Sequence, residues 1–187
     1  MVQVEDRVYW TSADLELFPD NGNRYEIIDG ELIVTRAPNW KHQKVVGSLI
    51  TELHIWSEKT GLGEAVGAPG IIFADADHVI PDVVWASNKI LEEYLDEKGH
   101  LTAAPELIIE VLSKSKADQE RDLEKKLKLY SVQGVREYWV CNYEAKKIMV
   151  FRRDRAVLKL ACTLFLEDVL TSPLLPDFEC LVEKIFA

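Results

Sequence analysis

The run PELIIEVLSKS at residues 105–115 constrains the fold more than any other stretch of this chain. Leu107, Ile108, Ile109, Val111 and Leu112 leave no polar face on either side of an extended backbone. Such a segment reads as a strand covered on both faces, as parallel strands of α/β sheets are. Glu110 sits in the middle of it. Burying even a neutral polar group without a partner costs roughly 2 to 7 kcal/mol. The fold must therefore cover a sheet on two sides and also bring a compensating group to this carboxylate.

The flanking sequence supplies candidates for the cover. RYEIIDGELIVT places two β-prone runs around Asp29-Gly30, a two-residue hairpin signal. After Pro38, Val45, Val46, Leu49, Ile50, Leu53 and Trp56 recur at helical spacing, and Gly61 ends that helix. Strand-like runs follow at GIIFA and HVIPDVVWA, then a short polar surface helix at NKILEEYLDEKG. Beyond the Glu110 strand, KADQERDLEKKLKLYSVQG reads as a helix stopped by Gly134. VREYWVCN and KKIMVFRR form a hairpin-like pair, AVLKLACTLF a further strand, and SPLLPDFECLVEKIF a tail of short turns and helix. Helices and strands interleaved in this order indicate an α/β domain with a mixed sheet. No repeat or Pro/Gly/Ser linker divides the 187 residues, so residues 1–187 are expected to form one domain.

A net charge of −10 argues against a general electrostatic grip on nucleic acid. The charge is unevenly spread. Residues 1–113 carry 8 Lys/Arg and 20 Asp/Glu, whereas residues 114–187 carry 14 and 12. A local basic surface in the second half is one expectation, built from Lys114, Lys116, Arg121, Lys125, Lys128, Lys146, Lys147, Arg152, Arg153 and Arg155. A solvated, salt-bridged surface is the other. No apolar run reaches membrane-span length and no secretory signal is visible, so a cytoplasmic protein with no membrane partner is expected. Cys141, Cys162 and Cys180 lack zinc-site spacing and read as reduced, mostly core residues.

Asp82, in VIPDVVW, repeats the anomaly of Glu110: a carboxylate inside an apolar, strand-like run. Two such acids on neighbouring strands repel unless a cation lies between them. A hard divalent ion such as Mg²⁺ meets that need through both side chains, a main-chain carbonyl and water. Lys126 is singled out by helical geometry. At about 100° per residue from Leu123, Leu127 falls near ~40°, Tyr130 near ~340° and Lys126 near ~300°, while Lys125 and Lys128 point to solvent. The face carrying Lys126 packs back onto the sheet, toward Glu110. Plainer readings stand beside these. Asp82 can be a strand-end residue bonded to main chain, and Glu110 with Lys126 a buried ion pair and nothing more. Lys126 can also lay its methylenes on the core and expose its charge, or pair with Asp122 one turn earlier. His54, His78 and His100 show no ligand spacing and receive no role.

RYEIIDGEL, the helix opening near His42, VIPDVVW, PELIIEVLS, RDLEKKLKLYSVQGVREYW and SPLLPDF, in this order, resemble the PD-(D/E)xK nuclease superfamily and, more closely, its Uma-two branch. The resemblance spans nearly the whole chain. It implies a restriction-endonuclease-like α/β (α+β) fold, a mixed central sheet flanked by helices with an added N-terminal β-hairpin. It also implies a Mg²⁺-dependent endonuclease (Mn²⁺ substituting) that hydrolyses DNA phosphodiester bonds. Asp82, Glu110 and Lys126 would be its catalytic residues, and Asp82, Glu110 and the Val111 carbonyl its metal ligands. Leu112 stands where the superfamily's simple motif has lysine; in the Uma-two branch that lysine has moved to the following helix, at Lys126 here. Asn142 replaces an aspartate and reads as structural. His42, Glu26 and Glu31 are accessory candidates, with one of the two glutamates expected to reach the metal site. Cutting both strands favours a homodimer. The rival reading is a catalytically silent interaction module retaining the fold, in which Trp10, Trp40 or the late hairpin serves self-association. A sugar hydrolase with paired carboxylates is a third, and it predicts activity without metal.

Overall fold

The computed structural model describes residues 8–113 and 119–187; Lys114 and Lys116 lie outside the described residues. In chain order the elements are α1 (Ser12–Leu15), β1 (Arg24–Ile28), β2 (Glu31–Thr35), α2 (Trp40–Thr60), β3 (Gly63–Gly67), β4 (Ile71–Ala74), β5 (Asp77–Val79), β6 (Val83–Ser87), α3 (Asn88–Tyr94) and β7 (Leu107–Val111). A π-helical turn (Arg121–Lys125) then leads into α4 (Lys126–Gln133), followed by β8 (Glu137–Asn142), β9 (Lys147–Asp154), β10 (Val157–Leu164), β11 (Val169–Ser172), β12 (Leu175–Leu181) and α5 (Val182–Phe186). This is a mixed α+β architecture, as expected.

β7 is the centre of it. All five of its residues are buried, as an aliphatic run without a polar face requires. It pairs in parallel with β8 and antiparallel with β6 in a six-stranded sheet ordered β10-β9-β8-β7-β6-β3. Side chains alternate between the two faces of a strand. Leu107, Ile109 and Val111 join one core with Val45, Leu49 and Leu53 of α2 and Phe178 of β12. Ile108 joins the other, with Tyr130 of α4, Tyr138 and Ile71. Parity therefore directs Glu110 to the α4 face.

The local signals set these elements in place. Asp29 and Gly30 both have positive φ, 52° and 71°, as a type I′ hairpin turn demands. Asn39 caps α2 by accepting the His42 amide, and Gly61 ends it in the left-handed region at φ 67°. The hairpin β1–β2 belongs to a second sheet, ordered β2-β1-β5-β4.

Two expectations need correction. HVIPDVVWA is not one strand: Pro81 has no amide to donate, and the run breaks into β5 and β6, which belong to different sheets. Asp82 thus lies at the junction of the two sheets. The tail is not only turns and helix, because β12 runs through it and pairs with β11, which ends at its first residue, Ser172. Asp177, at φ 59°, and a register shift between Leu170 and Ser172 interrupt the two-residue period by which β12 would be recognised. No helix among the described residues is long and apolar enough to cross a membrane.

Candidate active site

Extending the Val83–Ile109 pairing of β6 and β7 by one residue sets Asp82 opposite Glu110. At this end of β7 the hairpin, α2 and the π-helical turn converge around a cavity of about 410 Å³. Asp82 accepts three donors. Arg24 Nη1 reaches its Oδ1 at 2.9 Å, and Oδ2 takes the Val111 amide at 2.9 Å and His42 Nε2 at 3.1 Å. Glu110 Oε1 accepts Lys126 Nζ at 2.7 Å and the Tyr130 hydroxyl at 3.0 Å. Lys126 Nζ also meets Glu26 Oε1 at 2.9 Å, an oxygen held by the Ile80 amide at 2.8 Å. Lys126 is 1 % exposed, so its charge is neutralised inside the protein and does not snorkel to water.

Asp122 and Lys126, four residues apart, reach this wall together across a π-helical turn. The Lys126 amide donates to the Arg121 carbonyl five residues back, widening the turn by one residue. Asp122 is buried beside the cavity, where its Oδ1 accepts Arg121 Nε at 2.9 Å and the Tyr138 hydroxyl donates to its main-chain carbonyl at 2.9 Å.

Charge is unevenly balanced in the interior of the cavity. Glu26, Asp82, Glu110 and Asp122 are the acids, and Arg24, Arg121 and Lys126 are the cations that pair with them, four against three. A further cation, Arg36, lies at the exposed rim. Burial pushes the Glu110 carboxyl up; Lys126 opposes this, while Asp82, Asp122 and Glu26 add to it, and the result is about 8. Asp82 goes the other way. Burial raises it, but the His42 hydrogen bond and charge, the Val111 amide and Lys126 outweigh burial and hold it at about 2. Burial also raises Asp122, against the pull of Lys126 and Arg121. For Lys126, burial is overcome by Glu110, Glu26 and Asp122, which keep it protonated well above the ordinary lysine range.

The acids and lysine singled out from sequence thus meet in one place, and Leu112 is a buried core residue with no part in it. Of the two hairpin glutamates, Glu26 reaches the cluster. Glu31 does not: it pairs with Lys125 at 2.7 Å with 42 % of its side chain exposed. His42 is buried, contrary to the exposed position usual at a helix start, and its Nδ1 has no partner among the described residues. Asn142 Oδ1 accepts the Ala145 amide, which fits a turn-building role. Sequence reasoning does not select Arg24, Arg121, Asp122 or Tyr130 for the site; the Asp122–Lys126 spacing of four is the one signal that points to any of them. The basic surface expected in the second half is partly taken up internally: Arg152 pairs with Glu137, and Arg153 donates to the Val135, Tyr130 and Ser131 carbonyls.

The acid cluster suits a hard cation. Its donors are all oxygen, and it leaves Oε2 of Glu110 and of Glu26 without a donor from the described residues. Among the described residues no three His, Cys, Asp or Glu side chains enclose an ion. The fit is that of an open Mg²⁺-type site with one or two carboxylates and water.

No protein of curated function matches the chain. A solved protein from Anabaena variabilis ATCC 29413, described as "a putative nuclease belonging to DUF820", has a similar fold, with a TM-score of 0.73 at 17 % identity, covering 94 % of this chain and 97 % of that one. The model of the Uma2 family, described as "Putative restriction endonuclease", matches residues 12–183. With that match across nearly its whole length, the chain belongs to the Uma2 family.

Proposed function

We propose that this protein is a metal-dependent endonuclease that hydrolyses phosphodiester bonds in DNA, works with Mg²⁺ or Mn²⁺, and acts as a homodimer. The observation that carries the reading is the meeting of Asp82, Glu110 and Lys126 in a cavity lined by four acids with unclaimed carboxylate oxygens. Asp82, Glu110 and the Val111 carbonyl would hold the ion. When bound, it polarises the phosphate and acidifies coordinated water. Arg24 and His42 fix the Asp82 carboxylate, whose Oδ2 already accepts two donors while Oδ1, with one, keeps lone-pair capacity toward an ion. Lys126 is a permanent ammonium here, so it orients the attacking water and offsets charge growing on the phosphate, and it does not act as the proton acceptor.

The test is incubation of supercoiled plasmid with Mg²⁺, Mn²⁺ or EDTA, using wild type, Asp82→Ala, Glu110→Ala and Lys126→Ala. Nicking by wild type alone, lost in EDTA, is the expected result. Equal nicking by all four proteins means contamination. No nicking under any condition favours the second reading, a silent interaction module, which draws on one observation: Lys126 already satisfies Glu110 and Glu26 without an ion. Sedimentation at the mass of two 21.3 kDa chains would support the dimer.

A further inference from the structure

The longest acid-free stretch in the acidic half of the chain is twenty residues, 32–51. Between Glu31 and Glu52 there is no Asp or Glu, while Arg36, Lys41 and Lys44 all fall within it and are all exposed. This stretch forms a wall of the cavity: Arg36, Pro38, Asn39 and His42 line it. In the midst of these residues Trp40, the first residue of α2, is 86 % exposed. It directly follows Asn39, which lines the cavity, and lies about 200° around α2 from the buried His42, so its ring stands on the outer side of the helix start. An indole left in water among cations, beside the wall of an acidic cleft, has the composition of a surface that stacks bases while its cations follow the phosphates.

We infer that Trp40 is a stacking platform for an unpaired base next to the scissile phosphate, and that the preferred substrate is therefore DNA with a single-stranded or locally opened segment. A paired base offers its face only to its neighbours in the stack; an unpaired one can lie on the indole. A second copy of the chain is the less favoured occupant, because a two-fold contact centred here would bring Arg36, Lys41 and Lys44 against their own counterparts. The inference rests on the nucleic-acid reading of the site but not on cleavage.

Binding is measured by anisotropy of labelled DNA at low salt, in EDTA and in Ca²⁺, with a fully paired duplex, a single strand, and a duplex containing a short gap. Wild type is expected to prefer the single strand and the gap. Trp40→Ala should weaken those two about tenfold and leave the duplex unchanged, and Trp40→Phe should retain most of the preference. Since Trp40 is exposed, the variants should keep the wild-type melting temperature, which checks that the effect is local. If Trp40→Ala binds every DNA as wild type does while plasmid nicking remains, the inference alone is overturned. No binding of any DNA by wild type overturns it together with the nucleic-acid reading. A dimer that dissociates on Trp40→Ala with DNA preference intact assigns the indole to self-association and also overturns it. Preference lost in Trp40→Ala without any nicking by wild type upholds the platform and removes the nuclease.

Discussion

Lys126 binds together groups that would otherwise repel. Its ammonium lies between Glu110 and Glu26, with Asp122 one turn away, and none of these is open to bulk water. Removing one partner of a buried pair strands the other, so Lys126→Ala is expected to cost about 3–5 kcal/mol, read as a lower urea midpoint. Lys126→Met combined with Glu110→Gln should recover part of that loss, because no unpaired charge then remains at this pair. The pH dependence follows from the same burial. Unfolded, Glu110 releases its proton near 4.5; folded, it holds it up to about 8. Between those values the native state binds more protons, so this group's contribution to stability declines as pH rises. In EDTA, Glu110→Gln should flatten the decline from pH 4.5 to 8, measured by urea midpoints. Asp82 acts in the opposite sense: its contribution is complete above 3.8 and is lost as pH falls toward about 2. His42, the Val111 amide and Lys126 supply that contribution, and none of them borders Asp82 in sequence.

At the level of elements, a π-helical turn leads into α4. Asp122 and Lys126, four residues apart, share one wall, as they would on a regular helix advancing about 100° per residue, while Leu129 and Tyr130 pack on the sheet. Asp122→Ala removes the carboxylate from that wall, and loss of nicking with helical circular dichroism retained is the expected outcome. The end of α4 offers a separate test. Gly134 has φ 97°, and a methyl group added there would have no neighbouring atom within 4 Å, so Gly134→Ala meets no clash, only backbone strain. A loss of about 1–2 kcal/mol in thermal or urea unfolding is expected, with the site's metal response unchanged.

For the molecule as a whole, two sheets meet at Asp82 and the cavity opens between them, so an ion held there ties the hairpin sheet to the central one. Binding restricted to the native state stabilises it by about 2.7 kcal/mol at a hundredfold excess over Kd. Mg²⁺ should therefore raise the melting temperature of wild type, and Asp82→Ala should abolish the rise; differential scanning calorimetry decides. Much of this architecture is legible in the chain itself. A two-sided aliphatic strand, an Asp-Gly turn, an Asn cap and left-handed glycines are local properties: each depends on side-chain period or backbone freedom over a few residues. They suffice to place Glu110 in a covered strand, to end α2 at Gly61 and α4 at Gly134, and to put Lys126 on the buried face. Tertiary structure alone decided that Glu26 and not Glu31 reaches the lysine, that His42 is buried against Asp82, that Arg152 and Arg153 serve the interior, and that HVIPDVVWA divides between two sheets. Periodicity tells which face a side chain takes; which partner waits there depends on strand register and on how distant elements pack, and neither leaves a mark in the pattern.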